Sequence, residues 1–401
     1  MICRRRVSDV NLNSYWSYDL SKILISCGEP SGDLYGGALT RELVKLEPGL
    51  RISGLGGDRL RESGCDLVAH YEGLAATGLS EALAVLPRSY ATYRRMIAHA
   101  RTKCPDVFVA IDFPEVNFRL SAVLRKLGIP TVYYIGPQAW AWRRRRFEKM
   151  RQLVDLALVI FPFEVALYKE AGIPVKFVGH PLLELSKPFE PRDVFLRKLE
   201  LQSGHPTIAL LPGSRPNEVR ALLPDIVAGS VLVRERIKTA QFIVARAPHL
   251  EDTLFEPLGQ LRRAGIPVAV TTERTDDVLA AADVAVTASG TATVQAAIHG
   301  CPMVIVYRLS ALTYRLVKRF AHVDNVGMVN LIAGKQVVPE LLQDALTPET
   351  VSAEVLRYLT DSTLALDSKE KLAEVRHKLG TEGASRRTAE HVLAIARQGM
   401  M

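Results

Sequence analysis

The chain has 401 residues, 48% hydrophobic and 23% charged, a balance that excludes intrinsic disorder and asks for two cores rather than one. Its formal charge of +8 favours acidic partners, namely phosphates, nucleotides, an anionic membrane face or nucleic acid, and composition alone does not separate these from a merely basic surface. Five cysteines without paired spacing yield neither a disulfide framework nor a zinc site, and no apolar run approaches the roughly 18 to 20 residues that span a bilayer.

Residues 1–20 open with Arg4-Arg5-Arg6 and continue with polar residues where a signal peptide would carry its apolar stretch, so they read as a poorly ordered extension and export is not expected. From Lys22 onward, short β-rich apolar runs alternate with longer helix-like segments. The runs fall at 23–26, 51–55, 107–111, 131–135, 156–160 and 175–178. Gly179-His180-Pro181 and the prolines at 188 and 191 then mark a link, with His180 read as a structural residue rather than a ligand. The pattern restarts at 208–211, 241–245, 268–271, 284–287 and 303–306. Near-continuous apolar runs alternating with helices indicate parallel sheets covered on both faces. The expected fold class is therefore α/β, with two Rossmann-like doubly wound parallel-sheet domains facing across a cleft. The expected domains are 21–186 and 187–367, followed by a charged helical segment, 368–401, that could return to the first domain.

Three turns rich in small residues close apolar runs: Gly28-Glu29-Pro30-Ser31-Gly32-Asp33, Leu211-Pro212-Gly213-Ser214-Arg215 and Ala288-Ser289-Gly290-Thr291-Ala292-Thr293. At a strand exit just before a helix, backbone N–H groups and the positive helix end are placed to hold an anion. Together the three suggest an enzyme handling a phosphorylated ligand. Arg215 suits bidentate phosphate binding with help from Ser214 and Gly213, or it is a surface arginine paired with Glu218. Ser289, Gly290, Thr291 and Thr293 offer a second anion site, or ordinary helix capping.

The segment Ile111-Asp112-Phe113-Pro114-Glu115-Val116-Asn117 is the most chemical in the chain, because Asp112 and Glu115 directly follow an apolar run. Such carboxylates are natural general bases, while Asp112 or Asn117 could equally cap a helix. Trp140, Trp142, Arg143 and Arg144 begin an aromatic and basic stretch ending at Phe147. It fits a lipid interface, a solvated helix face or a stacked nucleic acid; without an RNA-binding signature or zinc finger, nucleic acid ranks last and is not expected as a partner. No metal cluster, nucleophile elbow or Walker loop is legible.

In this order, these segments resemble the lipid-A-disaccharide synthases, inverting glycosyltransferases of the two-Rossmann (GT-B) type. Pro137-Gln138-Ala139-Trp140, Phe177-Val178-Gly179-His180 and Asn330-Leu331-Ile332-Ala333-Gly334 add to the likeness, which runs from about residue 22 to 343. The resemblance implies UDP-2,3-diacylglucosamine as donor, 2,3-diacylglucosamine 1-phosphate (lipid X) as acceptor, and a β-1,6-linked disaccharide phosphate plus UDP as products. It implies no cofactor and no metal, and a cytoplasmic enzyme attached peripherally to the anionic inner membrane; a homodimer stays open. Glu115 and Asp112 become the candidate catalytic carboxylates. Gly213, Ser214, Arg215, Ser289, Gly290, Thr291, Thr293, Gln295 and Asn330 become the nucleotide-sugar side. Ser31, Gly32 and Asn117 fall on the acceptor side, and Trp140, Trp142, Arg143 and Arg144 face the membrane. Three departures stand out: Glu115 replaces the usual aspartate, Gln295 the usual glutamate, and Pro30 a small residue in the first turn.

Overall fold

The computed structural model describes residues 21–74, 79–137, 145–308 and 326–398; the extension 1–20 and Trp140, Trp142, Arg143 and Arg144 lie outside the described residues. The chain divides into two units, one of residues 1–181 with 381–401 and the other of residues 182–380.

In the first unit the described elements are β1 (Lys22–Ser26), α1 (Pro30–Leu46), β2 (Arg51–Gly56), α2 (Asp58–Glu62), β3 (Asp66–His70), α3 (Leu79–Lys103), β4 (Val107–Ile111), α4 (Pro114–Lys126), β5 (Thr131–Tyr134), α5 (Arg145–Leu153), β6 (Leu156–Val159), α6 (Glu164–Glu170) and β7 (Val175–Phe177). The strands form one parallel sheet in the order β3-β2-β1-β4-β5-β6-β7. β4, β5 and β6 are buried along their whole length, as continuous apolar runs require when helices cover both faces of a sheet.

The second unit opens with α7 (Leu182–Leu185) and α8 (Arg192–Lys198), followed by β8 (Thr207–Leu211), α9 (Pro216–Arg236), β9 (Gln241–Arg246), α10 (Gly259–Arg263), β10 (Val268–Thr272), α11 (Thr275–Ala281), β11 (Val284–Ala288), α12 (Thr291–Ile298) and β12 (Met303–Tyr307). After residues 309–325 come α13 (Met328–Ala333), β13 (Glu340–Leu342), α14 (Pro348–Thr360) and α15 (Ser362–Lys378). Its parallel sheet runs β10-β9-β8-β11-β12-β13, again reversing direction at the first strand. The core clusters Phe242, Leu210, Val286 and Val304 from the strands with Leu222, Ile226 and Val351 from α9 and α14.

Two expected boundaries are corrected. The division falls between Pro181 and Leu182 rather than at 186/187, because residues 182–186 are tied to the second unit: the Ser186 hydroxyl donates to Asp276 and lies 3.2 Å from His299 Nε2. The segment 368–401 is not one piece. Most of it up to Gly380 belongs to α15 and the second unit, whereas α16 (Ala384–Gln398) packs on α1 in the first. Gly380 and Gly383, with φ of 92° and 89°, make the break, since a left-handed backbone ends a helix and glycine adopts it without strain.

Candidate functional site

In each sheet the order reverses at one place, between β1 and β4 in the first unit and between β8 and β11 in the second. Ligands of doubly wound sheets bind outside the carboxyl ends of the strands at such a point. The three small-residue turns and the Asp112 segment leave those four strands, so the sequence-read motifs collect at both reversal points.

The turn after β4 is strained and clamped. Asp112 and Phe113 carry φ of 44° and 47°, and Ile135, at the exit of β5, has φ of 59°. Each such non-glycine residue costs about 1 kcal/mol or more and persists only when its surroundings enforce it. The enforcement is visible. The Asn117 side-chain amide donates to the carbonyls of Ser26, Ile111 and Asp112 at 3.3, 3.3 and 2.7 Å, and the Tyr133 hydroxyl donates to the Asp112 carbonyl at 2.7 Å. Asn117 is fully buried and holds the turn from beneath, so its expected acceptor-side contact is replaced by a positioning one.

Asp112 borders a cavity of about 300 Å³ together with Ile135, Gly136, Arg146, Ile160, Phe161 and Glu164. Glu115, the second residue of α4, is exposed and pairs with the Arg146 guanidinium at 3.1 Å, which places it beside a wall residue of that cavity. The Tyr168 hydroxyl lies behind Gly136, where a Cβ would meet it at 1.9 Å. Burial, and after it the charges of Glu164 and Asp112, push the Tyr168 phenol well above its ordinary range, so it remains a protonated donor. Phe161 stacks on Phe163 and leans against His180, whose ordinary value near 6.5 falls to about 3 because burial penalises the charged ring.

The first glycine turn is packed and capped from within its unit. Phe113 packs over Gly28 so closely that a Cβ there would lie 2.2 Å from the ring. Gly32 is buried against Cys27, and Ser31 sits half-buried in the first turn of α1. Asp33 accepts from the amides of Gly57, Leu60 and Arg59 at 2.6, 3.2 and 3.1 Å, capping α2. Pro30 removes little here, since it occupies the start of α1, where an N–H has no helical partner anyway.

In the second unit, Gly213 turns the chain after β8 with φ of 120°. The amides of Ser214 and Arg215 donate to Glu218 Oε2 at 3.1 and 3.3 Å, and the Arg215 guanidinium reaches Glu218 Oε1 at 3.5 Å. The turn's own N–H donors are thus engaged by a carboxylate of α9, and what stands exposed is the Arg215 side chain. After β11, Gly290 starts α12 with Thr291 exposed, while the Thr293 hydroxyl donates to the Gly290 carbonyl at 2.7 Å and the Ser289 hydroxyl to Val326 at 3.3 Å. Gln295 donates its amide to Asp276 Oδ1 at 3.1 Å, beside His299 at 3.0 Å and Ser186. A glutamate at 295 would repel Asp276; the amide suits this neighbour. Asn330 is fully buried: its Nδ2 donates to Val338 and Glu340 at 3.0 and 2.7 Å, and its Oδ1 accepts from Val337 and Val338 at 2.7 and 3.1 Å. It anchors α13 to β13, a structural use rather than the ligand contact expected.

Sequence reasoning missed Glu164, Tyr168 and Gly136. A signal was present in Phe161-Pro162-Phe163-Glu164, where a carboxylate heads a helix straight after a buried strand. What joins it to Asp112 is the adjacency of β4, β5 and β6, which spacing alone does not reveal.

Two units, each a parallel sheet wound about a reversal point with its motif turns gathered there, define the GT-B architecture. Solved structures agree in fold: a UDP-GlcNAc 2-epimerase from Neisseria meningitidis bound to UDP-GlcNAc has a TM-score of 0.64 at 11% identity, covering 94% of this chain and 99% of that one. A calicheamicin glycosyltransferase has a TM-score of 0.60 at 17% identity, with coverage of 94% and 99%. The lipid-A-disaccharide synthetase family model matches residues 23–395. The lipid-A-disaccharide synthase of Geobacter sulfurreducens is 42% identical over 93% of this chain and 96% of its own length, and that of Syntrophus aciditrophicus 40% over 94% and 98%. The chain belongs to the lipid-A-disaccharide synthase family, the glycosyltransferases of lipid A biosynthesis.

Proposed function

We propose that the protein transfers 2,3-diacylglucosamine from UDP to the 6-hydroxyl of 2,3-diacylglucosamine 1-phosphate (lipid X), with inversion, giving the β-1,6-linked disaccharide phosphate and UDP. The observation that carries this is the gathering of the carboxylate and arginine turns at the reversal points of the two sheets. Glu115 is the base that takes the hydroxyl proton as the oxygen attacks the anomeric carbon, with Asp112 a second carboxylate on the acceptor side. Arg215 and the donors of the Ser289–Thr293 turn meet the charge that grows on the departing diphosphate. Both substrates are lipids, and the net charge of +8 and the Trp140–Arg146 stretch suit peripheral attachment to an anionic inner-membrane surface. No described helix is long and apolar enough to cross a membrane.

The test is incubation with both lipids and mass spectrometry of the lipid fraction. Disaccharide phosphate is expected from the wild type, with Glu115→Gln and Arg215→Ala each slower by about 10²-fold or more. Near-wild-type rates in either variant remove that residue from the reaction, and consumption of unacylated UDP-GlcNAc alone overturns the reading. Flotation with anionic liposomes should weaken when Trp140, Trp142 and the arginines are replaced; unchanged flotation removes that segment from membrane attachment.

A further inference from the structure

The second unit carries a larger cavity that the proposed reaction leaves unused. It measures about 780 Å³ and lies between α9 and the 3₁₀ turn Asp252–Leu258, with Arg263 of α10 also at its border. None of the candidate catalytic or nucleotide-side residues borders it. Its charge is mixed and not neutralised from within. Arg220, Arg263 and Glu256 all line it, all three are exposed, and among the described residues none of them forms an ion pair. The Arg220 guanidinium donates to the Asn217 side-chain oxygen at 3.2 Å. Two guanidiniums offer planar pairs of donors that match the oxygens of a phosphate. A carboxylate in the same space repels a bare phosphate and favours a ligand that carries a cation beside it.

The backbone adds to that preference. Pro224 stands inside α9 and Pro257 inside the 3₁₀ turn, and both line the cavity. A proline has no N–H. The carbonyl of Arg220, four residues before Pro224 in an α-helix, therefore receives no donor from that position. The same holds for the carbonyl of Leu254, three residues before Pro257 in a 3₁₀ turn. Arg220 and Leu254 are themselves lining residues, so acceptors and guanidiniums share one space. Among the described residues no aromatic ring borders it, which leaves a nucleotide base nothing to stack on, whereas buried Val219 and Leu254 give methylene groups an apolar face.

We propose that this cavity binds a phosphate ester bearing a primary ammonium, the phosphoethanolamine group. Arg220 and Arg263 share the phosphate, while Glu256 and the carbonyls of Arg220 and Leu254 accept from the ammonium. Such a group reaches the protein as the headgroup of a bilayer phospholipid or as a soluble ester, and the chemistry of recognition is the same for both. No bond is made or broken there.

The experiment uses the full chain and the variants Glu256→Gln, Arg220→Gln and Arg263→Gln. Flotation compares vesicles of phosphatidylcholine alone with vesicles of phosphatidylcholine and phosphatidylethanolamine in equal parts. Both lipids are neutral overall, so the general attraction of a basic protein to charge cancels, and only the ethanolamine has N–H donors for Glu256. The wild type is expected to partition about fivefold more strongly onto the ethanolamine vesicles, Glu256→Gln to lose that preference, and each arginine variant to bind them severalfold more weakly. Calorimetric titration with glycerophosphoethanolamine, without lipid, separates the sources. Binding of this ester with the same dependence on the three residues, and no vesicle preference, supports the site with a soluble ligand; vesicle preference without it supports the bilayer headgroup. Neither signal in the wild type, a preference that survives in Glu256→Gln, or inorganic phosphate binding as tightly as the ester overturns the proposal. Disaccharide formation in detergent should be equal in the wild type and all three variants, and a slower rate assigns the cavity to the transfer reaction and overturns the proposal too. Failure of the wild type to form disaccharide while the selective binding holds overturns only the transferase reading.

Discussion

At the scale of residues, the segment 111–117 was legible as chemistry because two carboxylates follow a buried strand, but the division of labour within it was not. The sequence treats Asn117 as another polar group in reach of a ligand. The fold instead turns its amide toward three carbonyls, because a chain that leaves β4 through two successive left-handed residues strands those carbonyls in the interior. Asn330 follows the same logic at α13. Buried amides near a site are often its scaffolding, and nothing in residue type separates the two uses. The consequence at Asn117 is measurable. Asn117→Ala removes three bonds, leaves buried acceptors without their donor and frees the strained pair above it. Chemical denaturation should show a loss of about 2 to 3 kcal/mol, with transferase rate falling further than the unfolded fraction explains. A loss below about 0.5 kcal/mol with full activity means that the turn holds its shape without this clamp.

At the scale of elements, most strands were readable from continuous apolar runs, and the two that escaped have a common cause. β3 and β13 are edge strands, the first half-exposed with only three apolar residues between Asp66 and His70 and the second only three residues long, so neither needs the apolar run that a central strand must show. The turn after β8 is more instructive. It was expected to offer its amides to an anion, yet the first turn of α9 returns the Glu218 carboxylate to accept from them. Under the proposed function, the phosphate contact then falls to the Arg215 guanidinium, which Glu218 also steadies. Glu218→Ala should cost about 1 kcal/mol through the lost cap and weaken UDP about five- to tenfold through the loosened arginine, read by calorimetric titration. Tighter UDP binding in that variant instead identifies the freed amides as the anion seat.

At the scale of the whole molecule, the chain closes its first unit with its last helix. A charged helical segment returning to the first domain was expected from the sequence; the break at Gly380, which leaves α15 in the second unit and sends only α16 back, was not. Ala389, Val392, Leu393 and Ala396 are buried, Arg387 donates to the Val178 carbonyl at 2.8 Å, and Arg397 pairs with Glu47 at 2.9 Å. Burying Val392 and Leu393 alone contributes about 3 to 6 kcal/mol before the entropy of ordering the helix. The contacts of α16 reach α1, β4 and β5, the strands whose exits carry Asp112 and Ile135. No described residue after Gly380 borders the cavity, so a chain ending there keeps every candidate site residue and loses the packing beneath two of them. Hydrogen exchange of that truncated chain should show faster amide exchange in β4 and β5, unchanged exchange in β8 and β11, and loss of transfer activity. Equal protection of β4 and β5 with and without α16 would mean that the first unit is complete by Pro181, and that the returning helix only covers a surface already able to fold.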